Sequence, residues 1–507
     1  MALINSNNTL FSLIHLQTLN LDDNDFNYSH IPPAIKQLSG LTYLNLTIHL
    51  RSLVRNLTSL EIFRLSHVDI SSTIPDFLAN FSSLTSLLLE DCELYGELSR
   101  LTFLNLAMNN FSGNIASSLH NLTQLIVLCL HSNHITGPIP PSLGNLTKLE
   151  LSGFLRHQNE LEWFELCGNK IYGQIPKWMW NTSVDTLEDL NIGDNFITVF
   201  HQQPAVLPWV NLDVLELSLN MLQGPLPIPL PSIKAYIISG NMMTGKIPHV
   251  FCNLSSLYIL DLSDNNIDGM IPQCFRNLSS SLAVLSLRNN SFHGVIPQTC
   301  SGNASNNLML VDLSYNQLQG QLPRSLSNCM MLEGIVVSNN RLNDVFPSWL
   351  GSLPKLKLLT LRKNEFYGAI GKPEKDLEFP KLQVIDLSCN NFSGELPSQY
   401  IISWNSMKVI NSSDFTYMSA ELGIPAFEYM GKTLLHRYSI TITSKGVEIY
   451  DKAIQDIYAF VDLSSNKFER KLPQLFGNLK ALRSLNLSNN MVSGRIPSSL
   501  GDLTMLE

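Results

Sequence analysis

One phrase recurs along this sequence, and it constrains the fold more than any other feature. It reads L-x-x-L-x-L-x-x-N-x-L-x-G-x-I-P, with clear copies in LDLSDNNIDGMIP at 260–272 and LNLSNNMVSGRIP at 485–497. Between Asn241 and Asn390 the Asn of the phrase returns every 24 to 26 residues. A repeat of this period indicates coils that stack on one another, because one coil cannot bury its own Leu side chains.

Each position of the phrase has a physical role. The two Leu of L-x-L point inward from a short strand, whereas the x residues point outward. The Asn side chain carries a donor and an acceptor, so it can bond the backbone of its own coil and of a neighbour. The phrase therefore predicts an α/β-type leucine-rich-repeat solenoid, a curved right-handed superhelix with a parallel inner β-sheet. Its Asn ladder includes Asn241, Asn265, Asn290, Asn316, Asn340, Asn364, Asn390, Asn466 and Asn490.

The ladder breaks once in its later part. From Asn390 to Asn466 there are 76 residues, where one coil takes about 24, so roughly 50 residues are inserted. The predicted organisation is an incomplete first coil at 1–15, a first repeat block of about 16 coils at 16–403, an inserted island at 404–453 and a second repeat block at 454–507.

Composition excludes several function classes. The net charge is −9 and only 15% of residues are charged, which disfavours a nucleic-acid-binding surface. No run of apolar residues reaches the length of about 18 that is needed to span a bilayer. We find no nucleophile–base constellation and no metal or cofactor motif of full length, so the sequence predicts a binding protein without catalytic residues, metal or cofactor.

The wording of the later coils resembles the receptor-like proteins of plants, cell-surface immune receptors that have no kinase of their own. The resemblance covers nearly the whole chain and is carried by NLSSLYILDLSDNNIDGMIPQCF at 253–275 and FPSWLGSLPKLKLLTLRKNEFYGAI at 346–370. It implies a plasma-membrane protein whose extracellular face senses a peptide or protein in defence, with a coreceptor kinase and an adaptor kinase as partners. Residues 1–15 have no signal-peptide pattern, and we expect the chain to be part of a larger receptor, with the membrane helix elsewhere.

Two other functions stay open. The same repeat occurs in secreted inhibitors of cell-wall-degrading enzymes, similar to the polygalacturonase-inhibiting proteins. Those are shorter and have no island, which favours the receptor. A receptor fragment without a function of its own is the second alternative, because several of the early coils are clipped.

The inner face of the later coils, next to the island, is the predicted ligand surface. Arg288 and Arg362 on this face differ from the residues that the repeat usually has at their positions. An Arg side chain can pair with a carboxylate in bidentate fashion. The Asp of L-D-L is part of the repeat, so a structural role is open for the two acidic positions. The candidates are Arg288, Asp312, Val336, Thr360, Arg362 and Asp386.

The island contains a predicted hairpin. YSITIT at 438–443 alternates apolar and polar residues, and 447–450 follows a Gly-containing turn. The resemblance implies an island that ends with a Tyr, a Thr-rich strand and Lys-Gly, which Tyr438, Lys445 and Gly446 match. We expect these three residues to contact the partner kinase, and the alternative is that they only pin the hairpin onto the solenoid.

Glycans and disulfides complete the predictions. Candidate N-x-[ST] glycosylation sites are Asn56, Asn80, Asn121, Asn145, Asn253, Asn277, Asn303 and Asn411. Four Cys fall on four consecutive outer segments: Cys252, Cys274, Cys300 and Cys329. Adjacency leaves two arrangements open, Cys252–Cys274 together with Cys300–Cys329, or Cys274–Cys300 alone, and we favour a Cys252–Cys274 bridge.

Overall fold

The structure is a computed structural model with two compact units, Met1–Gln223 and Gly224–Glu507. It describes residues 12–21, 37–38, 40–46, 62–66, 86–90, 102–108, 112–115, 119, 125–141, 143, 161–181, 183–200, 206–300, 306–374, 378–409, 416–422, 434–444 and 447–506.

The first unit is built on parallel strands, one from each coil. Neighbouring strands pair in register, for example Asp189–Asn191 with Val214–Glu216. The L-x-L phrase produces this arrangement because alternate side chains face the core and each strand is only three to five residues long. Its inner strands are Thr18–Leu21, Tyr43–Leu46, Ile62–Ser66, Ser86–Glu90, Phe103–Asn105, Val127–Cys129, Trp163–Glu165, Asp189–Asn191 and Val214–Glu216.

Short strands also follow the Asn of several coils in the first unit, where the L-x-G part of the phrase lies. They form a second parallel sheet of Ser112–Asn114, His134–Gly137, Lys170–Ile175 and Phe196–Phe200. A 3₁₀ helix, Lys177–Asn181, follows one of them and buries Met179 and Trp180.

The second unit repeats this plan and contains the island. Its inner sheet passes directly from Val384–Asp386 to Phe460–Asp462 in parallel register, so the residues between them leave the repeat. A chain that rejoins the same sheet after such an excursion keeps the core continuous. The inner strands are Ala235–Ile237, Ile259–Asp261, Val284–Ser286, Leu310–Asp312, Gly334–Val336, Leu358–Thr360, Val384–Asp386, Phe460–Asp462 and Ser484–Asn486.

The outer side of the second unit carries short strands and 3₁₀ helices. The strands are Met242–Gly245, Asn266–Met270, Ser291–Val295, Gln317–Gly320, Arg341–Leu342, Tyr367–Ala369, Asn391–Glu395, Lys467–Lys471 and Met491–Ser493, and Gln223–Gly224 lies at the boundary of the units. The helices are His249–Asn253, Gln273–Ser280, Arg324–Asn328, Ser348–Ser352, Tyr400–Ile402, Asn405–Met407, Gln474–Asn478 and Ser498–Asp502. Throughout the described residues the helical part of the predicted α/β solenoid is 3₁₀ helix, and none of it is α-helix.

The ladder Asn side chains lie between neighbouring coils. Asn390 Nδ2 donates to Leu361 O at 2.9 Å and to Leu387 O at 3.1 Å, while its Oδ1 accepts from Phe366 N at 3.0 Å. Each such side chain thereby satisfies backbone groups of two coils that burial would otherwise leave unpaired. The same pattern holds for Asn265, Asn290, Asn316, Asn340, Asn364, Asn466 and Asn490, and Asn241 donates to Ile238 O.

Aromatic rings extend the core across the point where the island is inserted. Phe366 and Phe392 stack at 6.0 Å between ring centroids, and Phe392 and Phe468 stack at 6.3 Å. All three side chains are fully buried. Because Phe468 follows the island in sequence and Phe392 precedes it, this stack fixes the two repeat blocks to each other independently of the island.

The island itself consists of two antiparallel hairpins. Ser419–Leu422 pairs with Leu434–Arg437, and Ile440–Ser444 pairs with Val447–Asp451. The second pair, called the island hairpin below, confirms the strands predicted around the Gly-containing turn. The first pair was not predicted from the sequence.

Candidate ligand and partner surface

The predicted ligand residues form two columns on the inner face of the second unit. Strand register aligns Val336, Thr360 and Asp386. Arg362 lies two residues after Thr360 on the same face, and Arg288 occupies the equivalent place on an earlier coil. The spacing of the repeat therefore placed these side chains on the expected face.

The expectation that these residues face solvent is wrong. Asp312, Val336, Thr360, Arg362 and Asp386 are at most 4% exposed. The Arg288 side chain is 12% exposed. The physical reason is that the inner columns pack at the spacing of neighbouring strands and the island folds back onto them, as the following contacts show.

Glu448 of the island hairpin contacts two cations of the inner face. Arg362 Nη2 donates to Glu448 Oε1 at 2.6 Å, and Lys363 Nζ donates to the same oxygen. These residues are about 85 positions apart in sequence. The hydrogen bond from Lys363, with a further one from Arg362, holds the pKa of the Glu448 carboxyl below its usual range.

Arg288 is engaged by both the solenoid and the island. Its Nη1 donates to both carboxylate oxygens of Asp264, at 2.8 and 2.9 Å. The guanidinium carbon also lies 3.9 Å from the ring centroid of Tyr450 in the island hairpin, a cation–π contact. Arg288 therefore already has the carboxylate that a ligand was expected to supply.

The acidic residues of the columns have structural partners. Asp312 Oδ1 accepts from Ser314 N at 3.0 Å and from Ser314 Oγ at 2.6 Å, and Asp386 bonds Ser388 in the same way. Burial raises the pKa of the Asp312 carboxyl to about 6. Burial, with Asp462 on the next strand, raises the pKa of Asp386 as well. The Asp of the L-D-L-S motif thus bonds the Ser two residues later and stabilises the local backbone, and it is not held ready for a ligand.

Tyr438 anchors the island. Its side chain is fully buried, and its hydroxyl donates to Glu333 Oε2 at 3.3 Å. Its backbone bonds Met418 O at 2.8 Å and Ile454 N at 3.1 Å. Burial, reinforced by Glu333, raises the pKa of the Tyr438 phenol above its usual range. Tyr438 is therefore unavailable as the partner contact we expected and instead pins the island to the coils.

Two other predicted island residues, Lys445 and Gly446, lie outside the described residues. Glu448 and Tyr450 were not predicted from the sequence as site residues. The signal was present in VEIYD at 447–451, since alternation along a strand places Glu448 and Tyr450 on one face. What faces them could not be read from the sequence.

Two apolar side chains on the opposite face of the island hairpin are open to solvent, whereas Ile440 on that face is only 3% exposed. Val447 is 62% exposed and Ile449 is 47% exposed. Leu435 of the first hairpin is 49% exposed. The strand Val447–Asp451 thus turns Glu448 toward the solenoid and Val447 and Ile449 outward, the reverse of an ordinary surface strand.

The four Cys of the outer segments are paired. Disulfides join Cys252 to Cys274 and Cys300 to Cys329, with Cα separations of 5.6 and 5.7 Å. His249 lies beside the first pair. A metal at that place would need thiolate sulfurs, and the disulfide occupies both.

Two of the predicted glycosylation sites fall in the described residues. Asn253 ends the 3₁₀ helix His249–Asn253 and is exposed, and Asn277 lies within Gln273–Ser280. Asn56, Asn80, Asn121, Asn145, Asn303 and Asn411 lie outside the described residues.

Comparison with known proteins places these features in a family. The Leucine Rich Repeat family matches residues 15–38, 100–122, 124–146, 256–278, 307–329, 381–400 and 481–503. Over 328 residues, 65% of this chain, the sequence is 37% identical to Receptor-like protein 35 of Arabidopsis thaliana. The chain thus carries leucine-rich repeats and is similar to plant receptor-like proteins. The match spans 31% of that relative, so the chain corresponds to about a third of its length.

Solved structures agree with the solenoid fold of this chain. A plant peptide hormone receptor, RGFR1 in complex with RGF2, matches with a TM-score of 0.70 and 23% identity, covering 98% of this chain and 74% of that one. The Arabidopsis receptor kinase HAESA in complex with the peptide hormone IDA and the co-receptor SERK1 matches with a TM-score of 0.59 and 25% identity, covering 97% and 81%. Across the described residues, no helix has the length and apolar character needed to cross a bilayer.

Proposed function

We propose that this chain is the ligand-sensing extracellular part of a plasma-membrane receptor that acts in defence and signals through partner receptor kinases. The sensed ligand is a peptide or protein, and the role of the chain is binding rather than catalysis. The observation that carries the proposal is the strand Val447–Asp451, which directs Glu448 to the coils and leaves Val447 and Ile449 exposed.

The exposed apolar face is the proposed docking surface for a partner kinase. Contiguous exposed apolar side chains on a folded protein typically mark an interaction site, because leaving them in water costs free energy that a partner recovers. Leu435, Val447 and Ile449 would supply this surface. HAESA forms a complex with a peptide hormone and a co-receptor, which supports a partner of this type for a related fold.

The ligand surface is proposed to be the inner face of the second unit together with the island. Arg288 and Arg362 stay in the proposal, but as residues that the ligand reaches by engaging the island hairpin. This accounts for a sensor that changes its partner surface, since a ligand that moves the hairpin also moves its apolar face.

The test uses the full-length receptor and replaces the three apolar residues together, Leu435→Ser, Val447→Ser and Ile449→Ser. We expect normal secretion and folding, with ligand-dependent association with the kinase reduced at least about tenfold, because these side chains are exposed and their loss leaves the core intact. A matched control replaces Met270 and Val295, which are 66% and 51% exposed outside the island, by Ser. Association at full strength in the triple variant would refute this docking surface.

A further inference from the structure

Arg362 and Lys363 form a carboxylate-binding site on the inner face. Arg362 is only 4% exposed, and it donates from Nη2 to Glu448 at 2.6 Å. Its Nη1 lies 3.4 Å from Ser388 Oγ and 3.9 Å from Asp386 Oδ2, which hold the guanidinium in place. A buried Arg fixed in this way, with a Lys beside it, is a preorganised set of donors that binds an anionic oxygen.

The occupant of this site belongs to an island strand that is exposed along its whole length. All five residues of Val447–Asp451 are exposed, including Glu448. By contrast, Met418, Ala420 and Tyr438 of the same island are fully buried. The hairpin strand is therefore held to the coils mainly through Glu448 and through the contact of Tyr450 with Arg288. Such a segment can open without unfolding the rest of the island.

We propose that the island hairpin is a displaceable latch and that Glu448 occupies the site of a ligand carboxylate. A peptide with an acidic side chain or a free carboxylate replaces Glu448 on Arg362 and Lys363, and the hairpin then leaves the inner face. This inference rests on the proposed function and adds to it the chemical class of the ligand.

Intramolecular competition follows from this arrangement. Glu448 is tethered next to its site, so its effective concentration is high, and an external carboxylate binds only to the fraction of molecules with an open latch. Removing the charge of Glu448 should raise that fraction. The affinity of an acidic probe should then increase, although the variant has lost no residue of the binding site.

The experiment measures binding of a hexaglutamate peptide to the 507-residue chain, with hexaglutamine as the neutral control peptide. We expect Glu448→Gln to bind hexaglutamate at least about tenfold more tightly than the unmodified chain, since one ion pair of about 1.4 kcal/mol corresponds to that factor. Glu448→Gln combined with Lys363→Gln should lose this gain. The matched control is Glu395→Gln, because Glu395 pairs with Arg470 on an open surface, with both side chains at least 70% exposed.

A second measurement follows the latch directly. Amide hydrogen exchange of 440–444 and 447–451 should accelerate in Glu448→Gln and, on addition of hexaglutamate, in the unmodified chain, while exchange of the inner strands stays unchanged. Equal hexaglutamate affinities for the unmodified chain and Glu448→Gln, including no measurable binding to either, would overturn the latch. Neither measurement involves a kinase, so this result would leave the docking surface standing, and loss of the docking surface would leave the latch standing.

Discussion

The coils of the second unit and the island they carry are stabilised in different ways. In the coils, each ladder Asn of the second unit bonds backbone groups, as Asn390 bonds Leu361 O of the neighbouring coil, and strand residues and Phe rings meet their equivalents on the next coil. The same contact is therefore repeated from one coil to the next. In the island, single contacts join residues about 85 to 105 positions apart, such as Glu448 with Lys363 and Tyr438 with Glu333. Repeated contacts make the scaffold robust, whereas single contacts can be gained or lost one at a time.

The largest effect is expected where the repeated core is broken. Phe392→Ala removes the central ring of the stack with Phe366 and Phe468 and should lower the free energy of unfolding by about 3–5 kcal/mol. Chemical denaturation measures this loss. Met270→Ala, at a position 66% exposed, should change it by less than about 0.5 kcal/mol. Similar losses for the two variants would contradict the shared core.

The next effect concerns Asp312 and depends on pH. Because burial raises its pKa to about 6, the folded chain holds this proton more tightly than the unfolded chain, and stability falls as the pH rises from about 4 to about 6. Asp312→Asn keeps an acceptor for Ser314, as Asn486 does for Ser488 at 3.2 Å. The variant should match the unmodified chain near pH 4 and exceed its stability at pH 7 by at most about 3 kcal/mol.

Melting temperatures measured across this pH range compare the two chains. The prediction fails if Asp312→Asn is less stable than the unmodified chain at pH 7, because the carboxylate would then contribute more as an anion than its burial costs.

The sequence predicted the features that depend on neighbouring coils better than the contacts between the island and the coils. The period of the Asn positions predicted the parallel sheet, the ladder and the face on which Arg288 and Arg362 lie, because each depends on neighbours one coil away. The alternation at 438–443 and the Gly-containing turn before 447–450 predicted the island hairpin for the same local reason. The exposure of Arg362 was predicted wrongly, and two roles for Tyr438 stayed open, of which the structure supports the pinning of the hairpin. Both depend on where the island folds back, and no periodic pattern encodes a contact between unrelated segments.

A smaller effect is expected at the ladder position that closes the island. Asn466 Nδ2 donates to Leu387 O at 2.9 Å and its Oδ1 accepts from Phe392 N at 3.1 Å. Asn466→Ala leaves these buried groups without a partner and should cost about 1–3 kcal/mol in the free energy of unfolding. Asn266, which directly follows the ladder residue Asn265 in sequence, offers a control. It is exposed, so Asn266→Ala should be nearly neutral. A neutral Asn466→Ala would show that the ladder does not stabilise this junction.

The smallest effect should be confined to the island. Tyr438→Phe removes only the hydroxyl that donates to Glu333, a loss of about 1 kcal/mol. Hydrogen exchange of 416–422 and 434–444 should accelerate. Tyr236→Phe removes a comparable buried bond, to Pro227 O at 2.7 Å, and should leave island exchange unchanged. If both variants affect the island equally, Tyr438 has no specific anchoring role.

The central claim is that the island hairpin covers the inner face of the second unit, and zero-length carbodiimide cross-linking tests it most directly. This reagent joins a Lys amine to a carboxylate only when the two are in contact. Lys363 and Glu448 are 40% and 38% exposed, and the terminal coils provide a matched pair in Lys480 and Asp502, 3.3 Å apart and 41% and 63% exposed. Mass spectrometry of the digested chain should identify both the Lys363–Glu448 and the Lys480–Asp502 cross-links. Recovery of the Lys480–Asp502 cross-link without the Lys363–Glu448 cross-link would contradict the account.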